Sequence, residues 1–283
     1  MDSKELKKII QRNEDGRYQF KADVKNEISI AQEMVAFSNS GGDEIPVPGL
    51  GLEDMDLEYF KSFFERNFGE SVDEQGLELQ TLLENMNLFS QGSLNVSGAL
   101  LFASNPSFKL PVFIVKAMAF PGTEIADKHY IDSRDLTGKI SEVFSGCMSF
   151  VLANIRYIQG DKSVNSIGDP EIPRIVLEEL IANALIHRDY FISAPIRLLV
   201  FSDRVELISP GHLPNNLTIE NIKKGNSNIR NPILASFATK LIPYRGLGSG
   251  IVRALKEYPH IDFENDRDGN LFKVTIERRE IKP

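Results

Sequence analysis

Cysteine is almost absent from this 283-residue chain: Cys147 stands alone, which excludes an intrachain disulfide and any cysteine cluster for zinc. Histidine is scarce as well, and the spacing of His129, His187, His212 and His260 suggests no metal site. No run of about 18 apolar residues occurs, so no membrane-spanning helix is expected. The opening MDSKELKKIIQRNEDG has no apolar core of the kind a signal peptide needs, and a cytoplasmic location follows as the expectation. Internal repeats and low-complexity segments are missing too. The net charge of −8 argues against a chain that coats nucleic acid indiscriminately. A local basic patch is compatible with it, because residues 1–25 carry seven basic side chains against five acidic ones. Within that patch Lys21 and Lys25 are the candidates for contact with nucleic-acid phosphate, beside the plainer reading of a solvated face.

Hydrophobic content of 42% and charged content of 25% are ordinary for a globular protein, and the length allows more than one domain. Residues 1–12 read as a short basic helix, 18–24 as a strand and 26–36 as a helix closed by Ser38-Asn-Ser-Gly-Gly42. Asp43 to Gly51 is a loop by composition. Residues 53–88 read as two helices with solvated acidic faces. Ser93–Phe102 fits either a strand or a helix of small residues, Val112–Phe120 a strand, and Leu136–Ile158 one long helix buried along Val143, Cys147, Phe150, Val151 and Ile155.

The stretch around which the rest is arranged is Ile172–Tyr190, IPRIVLEELIANALIHRDY, which reads as one amphipathic helix with Pro173 in its first turn. Glu179 and Asn183 are four residues apart and so share a face, where a carboxylate and a carboxamide offer oxygen to water and a hard cation. The alternative is a helix face that simply meets solvent. Two β-rich runs, Ala194–Phe201 and Arg204–Ser209, flank Ser202-Asp203 as a hairpin. A Ser209-Pro-Gly-His-Leu-Pro214 loop follows. A short helix at 218–222, a polar loop at 226–231 and a helix from Pro232 to Ile242 come next. Gly246-Leu-Gly-Ser-Gly250 then opens a helix, and a closing hairpin turns across 266–270. Glycines before a helix let backbone N–H groups approach anionic oxygens. No GK[ST] follows, so this is not a P-loop, and the chain lacks the strand-to-helix setting of a Rossmann site. His187-Arg-Asp lacks the companions of a kinase catalytic loop. At a helix end, His187 and Arg188 suit the C-terminal dipole, and Arg188 suits an ion pair with Asp189.

The order EELIANALIHRDY, DRVELISPGHLP, SNIRNPILA, GLGSGI resembles the ATP-binding domain shared by DNA gyrase, the Hsp90 chaperone, histidine kinases and MutL, the GHKL or Bergerat fold. It is similar in particular to the divergent branch found in bacterial Schlafen/AlbA-type transcriptional regulators and relatives of RecG helicase. At the other end, a strand carrying Phe20-Lys21, a helix ending in AFSNS and the following glycines resemble the start of a Schlafen/AlbA-type domain. Gly42 leads at once into a loop here, so only the opening of that domain is matched. SGALLFASNP at 97–106, next to a strand, also resembles these regulators.

The resemblance implies an α/β (α+β) fold in three parts: a partial AlbA-type DNA-binding segment at 1–50, a connecting α/β region at 51–164 and a GHKL-like α/β sandwich at 165–283. It implies ATP and Mg²⁺ as cofactors, with Asn183 as the metal ligand and Glu179 polarising the attacking water. Ser209 and Gly211 would lie at the adenine, with a serine where the wider family keeps an aspartate. Gly246, Gly248 and Gly250 would lie against the phosphates, and Ser227, Arg230 and Asn231 are candidates for a lid. DNA is the implied partner, with self-association and no membrane. The function implied is a transcriptional regulator whose nucleotide state modulates assembly or DNA contact, with weak ATPase activity as its catalytic form. A degenerate, non-catalytic nucleotide-binding or protein-interaction scaffold is the alternative. Behind it stands a Schlafen-type nuclease, for which Glu14, Asp15 and Asp23 are the only nearby candidates, with no supporting spacing.

Overall fold

The computed structural model describes residues 42–126, 128–160, 162–163, 165–214 and 217–278. The basic helix, the strand and the helix expected within 1–41, together with Lys21 and Lys25, lie outside these residues. Among the described residues no helix is long and apolar enough to cross a membrane.

Three helices come first. Helix α1 (Leu57–Phe68) starts where Asp56 accepts the Tyr59 N–H, and it stops at Gly69 in a left-handed conformation. Helix α2 (Leu79–Asn85) follows, then a two-residue ladder of β1 (Phe89–Ser90) with β2 (Ser93–Leu94). The ambiguous run 93–102 resolves mainly as helix α3 (Val96–Phe102), capped by Asn95 and buried at all seven positions. A helix apolar on every side belongs inside a core. Phe102 lies 5.0 Å from the Phe60 ring, 5.1 Å from Phe63 and 6.0 Å from Phe237.

The central sheet contains six strands: β3 (Val115–Ala119), β4 (Asp132–Leu136), β7 (Ile196–Val200), β8 (Arg204–Pro210), β9 (Ile261–Asp266) and β10 (Leu271–Glu277). Their order is β4-β3-β7-β8-β10-β9, and only β3 and β7 run parallel. The crossover between those two carries β4, helix α4 (Ile140–Asn154), a small β5–β6 ladder (Tyr157–Ile158 with Asp169–Pro170) and helix α5 (Arg174–Ile186). Helices α6 (Ile219–Lys223), α7 (Pro232–Leu241) and α8 (Ser249–Glu257) fill the span between β8 and β9. This is the mixed α/β sheet-on-helix architecture expected of a GHKL-like sandwich.

Leu198, Val200, Val205, Leu207, Val274 and Ile276 join the main core with the helices, while Leu199, Phe201 and Ile208 meet Phe120 in a smaller cluster. Period-two alternation along β7 and β8 sends neighbouring side chains to opposite faces of the sheet. The main core runs from Val47 to Ile276, and β3 lies inside the sheet between β4 and β7.

Two local readings change. The long helix expected from Leu136 begins only at Ile140, because Leu136 ends strand β4, paired with Val115, and Gly138 turns the chain at φ 112°. The segment Asp132-Ser-Arg-Asp-Leu136 is an edge strand whose charged side chains face water, so it carries no apolar alternation to read. Asp43, expected in an ordinary loop, is fully buried. Its Oδ2 accepts the Leu234 N–H in the first turn of α7 at 2.9 Å and the Ser97 hydroxyl at 3.2 Å. The carboxylate thus ties α3 to the positive end of α7, itself standing 191 residues before Leu234.

Candidate functional site

Helix α5 packs directly on α8 and lies over the sheet beside β8. Two connected spaces open along it. The larger, about 800 Å³ including its mouth, has mostly apolar walls: Leu180 from α5, Leu207 and Val274 from the sheet, and Leu213, Leu217 and Phe263 around the rim. Apolar walls of this kind suit the flat face of a small ligand such as a base. The smaller, about 270 Å³, is polar and bounded by Glu179, Arg245, Arg253 and the glycine loop 246–250. Asn183, Ser227 and Gly248 line both.

Asn183 donates its amide N–H to the Glu179 carbonyl of its own helix at 2.6 Å. With the nitrogen so committed, Oδ1 is the ligand atom the side chain offers. Glu179, four residues earlier, is nearly buried. Its Oε1 lies 2.7 Å from Arg253 Nη2 on α8. Burial raises the Glu179 pKa, and the positive charges of Arg253 and Arg245 act against that rise. The carboxylate expected to be ready for a water is therefore engaged in an ion pair. Arg253 was not among the residues expected from sequence. It lies three positions after Gly250 and so on the same helical face, which is the one available signal.

Gly250 faces the polar pair of α5. A Cβ there would overlap Glu179 Oε2 and press on Asn183 Nδ2, so a larger residue at this position would have to displace the Glu179 carboxylate. Gly248, in the left-handed region at φ 70°, is the N-cap of α8 and places the helix start in the recess. Gly246 lines the same recess.

At the other end, Ser209 at the close of β8 donates its hydroxyl to the Ala184 carbonyl at 3.2 Å, which leaves the oxygen's lone pairs as acceptors facing the apolar cavity. Gly211 has φ 99°, and a Cβ there would overlap Arg230 Nη1 and Asp189 Cβ. Arg230 passes through that gap to the His212 carbonyl at 2.6 Å and the His187 carbonyl at 3.4 Å, with Asp189 Oδ2 at 3.7 Å. Gly211→Ala should therefore lower stability by about 1–3 kcal/mol through backbone strain and the displaced Arg230. Thermal unfolding of the variant, melting several degrees lower, checks this; an unchanged melting temperature refutes the argument.

The expected lid divides. Ser227 borders both spaces. Arg230 and Asn231 are instead structural ties, Asn231 being buried with Nδ2 donating to the Ile186 and Arg188 carbonyls, each at 2.8 Å, at the end of α5. The helix-end reading of His187 and Arg188 also changes. His187 lines the cavity, contacts the Tyr244 hydroxyl at 3.1 Å, and is kept neutral by burial, its pKa pushed down to about 4. A neutral ring contributes no charge to the helix dipole. Arg188 is buried between Phe113 and Tyr190, 4.3 and 4.9 Å from their centroids, and donates to the Ile192 and Ala194 carbonyls rather than to Asp189.

Residues 193–276, less than half of the chain, match the model of a family described as "Putative ATP-dependent DNA helicase recG C-terminal". The match takes in β7 to β10, Ser209, Gly211 and the glycine loop, and stops short of α5 with its Glu179 and Asn183. No curated protein matches the chain. Among solved structures it is similar to the DIP2311 protein from Corynebacterium diphtheriae, a Northeast Structural Genomics Consortium target, with 20% sequence identity and a TM-score of 0.60 over 87% of this chain. That likeness is one of fold, and the chain covers 42% of that protein's length. The C-terminal part of the chain is thus RecG-related in sequence and sits in a mixed α/β fold.

Proposed function

We propose that the joined cavities bind a purine nucleoside polyphosphate, ATP with Mg²⁺, and that nucleotide occupancy governs a transcriptional regulator's contact with DNA. The observation that carries the nucleotide reading is the junction itself: an apolar space suited to a base opens into a basic recess, and Asn183 and Gly248 border both. The RecG-related match, which takes in Ser209, Gly211, Gly248 and Arg253 but not Glu179 or Asn183, supports it. The DNA-regulatory reading is supported by the Schlafen/AlbA resemblance of the sequence and by Lys21 and Lys25.

In this reading Leu180, Leu207 and Phe263 enclose the base and exclude water. Ser209 accepts from an exocyclic amine through the lone pairs its bond to Ala184 leaves over. A neutral hydroxyl is a weaker acceptor than a carboxylate, so adenine selectivity should be modest. Backbone N–H groups at the start of α8, with Arg245, face the phosphates. One carboxamide oxygen from Asn183 fits Mg²⁺, which keeps most of its shell as water and phosphate oxygen. When bound, the nucleotide supplies the anhydride phosphates whose charge the recess recognises.

Calorimetric titration of ATP with Mg²⁺ tests the reading. The wild type should bind, and Asn183→Ala should weaken binding at least tenfold, about 1.4 kcal/mol. No heat up to millimolar nucleotide in the wild type would sink it. The engagement of Glu179 by Arg253 favours a second form of the same proposal, a nucleotide-binding module without turnover. The carboxylates of the nuclease alternative, Glu14, Asp15 and Asp23, lie outside the described residues.

A further inference from the structure

Three charged side chains border the polar recess: Glu179, Arg245 and Arg253. The Glu179–Arg253 pair bridges α5 and α8, and it is imperfect. Although Nη2 lies 2.7 Å from Oε1, Nη2 and Nε are both buried and neither forms an aligned hydrogen bond. A guanidinium carries five N–H donors in a planar fork that suits phosphate bidentately, and here part of that fork is unsatisfied beside a space fit for phosphate. The carboxylate, in turn, would repel an anion entering the recess unless its charge stays balanced.

We propose that Arg253 is the phosphate-responsive residue of this site: it holds Glu179 while the recess is empty and exchanges that carboxylate for the terminal phosphate of a bound nucleotide. This rests on the nucleotide reading above and adds a regulation to it. In the paired state Glu179 is neutralised and unavailable to orient water. Once Arg253 turns to phosphate, Glu179 faces the recess with Arg245 as the remaining positive charge that balances it. The exchange therefore makes the state of α5 depend on phosphate number, through a contact between α5 and α8 and not through the base. Gly250 leaves room for the Glu179 carboxylate between the two helices.

The alternative is a static strut, in which the pair only fastens α8 to α5. The two are separated by titrating Mg²⁺-ATP and adenosine into the wild type, Glu179→Gln, Arg253→Met and the double variant. Glu179→Gln should tighten ATP binding three- to tenfold, because Arg253 no longer has a competing carboxylate. Arg253→Met should weaken ATP binding tenfold or more. Adenosine affinity should stay within twofold throughout. The gain from Glu179→Gln should disappear in the Arg253→Met background, a non-additivity that a background electrostatic effect would not produce. Thermal melting monitors folding, and Arg253→Lys, which keeps the charge without the fork, should fall between wild type and Arg253→Met. Equal shifts for ATP and adenosine, or additive effects in the double variant, overturn the exchange while leaving the nucleotide site standing. If the wild type binds adenosine and ATP equally, Arg253 senses no phosphate; if it binds neither, the nucleotide reading falls as well.

Discussion

Phe102→Ala should remove about 3–5 kcal/mol of folding stability, the range for truncating a fully buried phenylalanine. Phe102 has no exposed surface, and its ring meets those of Tyr59, Phe60, Phe63 and Phe237. Small groups cannot refill that space easily. Gly98, one turn earlier on α3, already packs on the Leu88 backbone carbonyl so closely that a Cβ would overlap it, and α3 has little freedom to slide. Because Phe237 belongs to α7, the loss should be felt by the C-terminal helices as well as by α1. Urea unfolding should show one transition moved to lower denaturant. Phe108→Ala, at a residue 81% exposed, supplies the comparison and should change stability by less than about 0.5 kcal/mol. A loss below about 1 kcal/mol for Phe102→Ala, or a second transition with the C-terminal part unaffected, would show that α3 is not a structural part of the common core.

What the sequence displayed and what it hid follow from the range over which each feature is specified. Glu179 and Asn183 stand four apart on a helix, the β7–β8 hairpin turns over two polar residues, and the glycine loop leads straight into α8. Each is encoded within a dozen residues, where periodicity and turn chemistry suffice. The edge strand β4 was hidden because its side chains are charged and solvated, and its identity comes from pairing with β3. The burial of Asp43 depends on Leu234 and Ser97, far away in the chain. The engagement of Glu179 by Arg253 likewise requires α8 to lie on α5. Seen alone, SGIVRALKE is an amphipathic helix with its arginine toward water. Packing, not pattern, converts that arginine into a partner for a nearly buried carboxylate, and the neutral His187 against Tyr244 is a product of the same packing.

Acid should expose that histidine's environment. His187 has its pKa pushed down to about 4, first by burial and then by the positive charge of Arg230, against a hydrogen bond to the Asn228 backbone that favours the proton. The Tyr244 hydroxyl beside Nε2 has a raised pKa, again chiefly through burial, and stays protonated across the range concerned. The unfolded chain takes up a proton on this residue near pH 6.5, the folded protein only near 4. The folded state therefore binds fewer protons between those values, and stability falls as pH falls through them. The contribution is complete above about pH 6.5 and lost progressively toward pH 4, a swing of roughly 2–3 kcal/mol for a mostly buried ring. Glu179 and Asp43, whose pKa values are raised by burial, shift stability in the opposite direction, so the total acid response is a balance. Comparison of wild type with His187→Gln isolates the histidine: the difference in unfolding free energy between the two should drift by about 2 kcal/mol from pH 7 to pH 4.5, with the wild type losing ground. Parallel pH profiles would mean that the ring is solvated enough to take its proton in the folded state. The cavity would then gain a cation on the wall formed by the end of α5, next to the space assigned to the base.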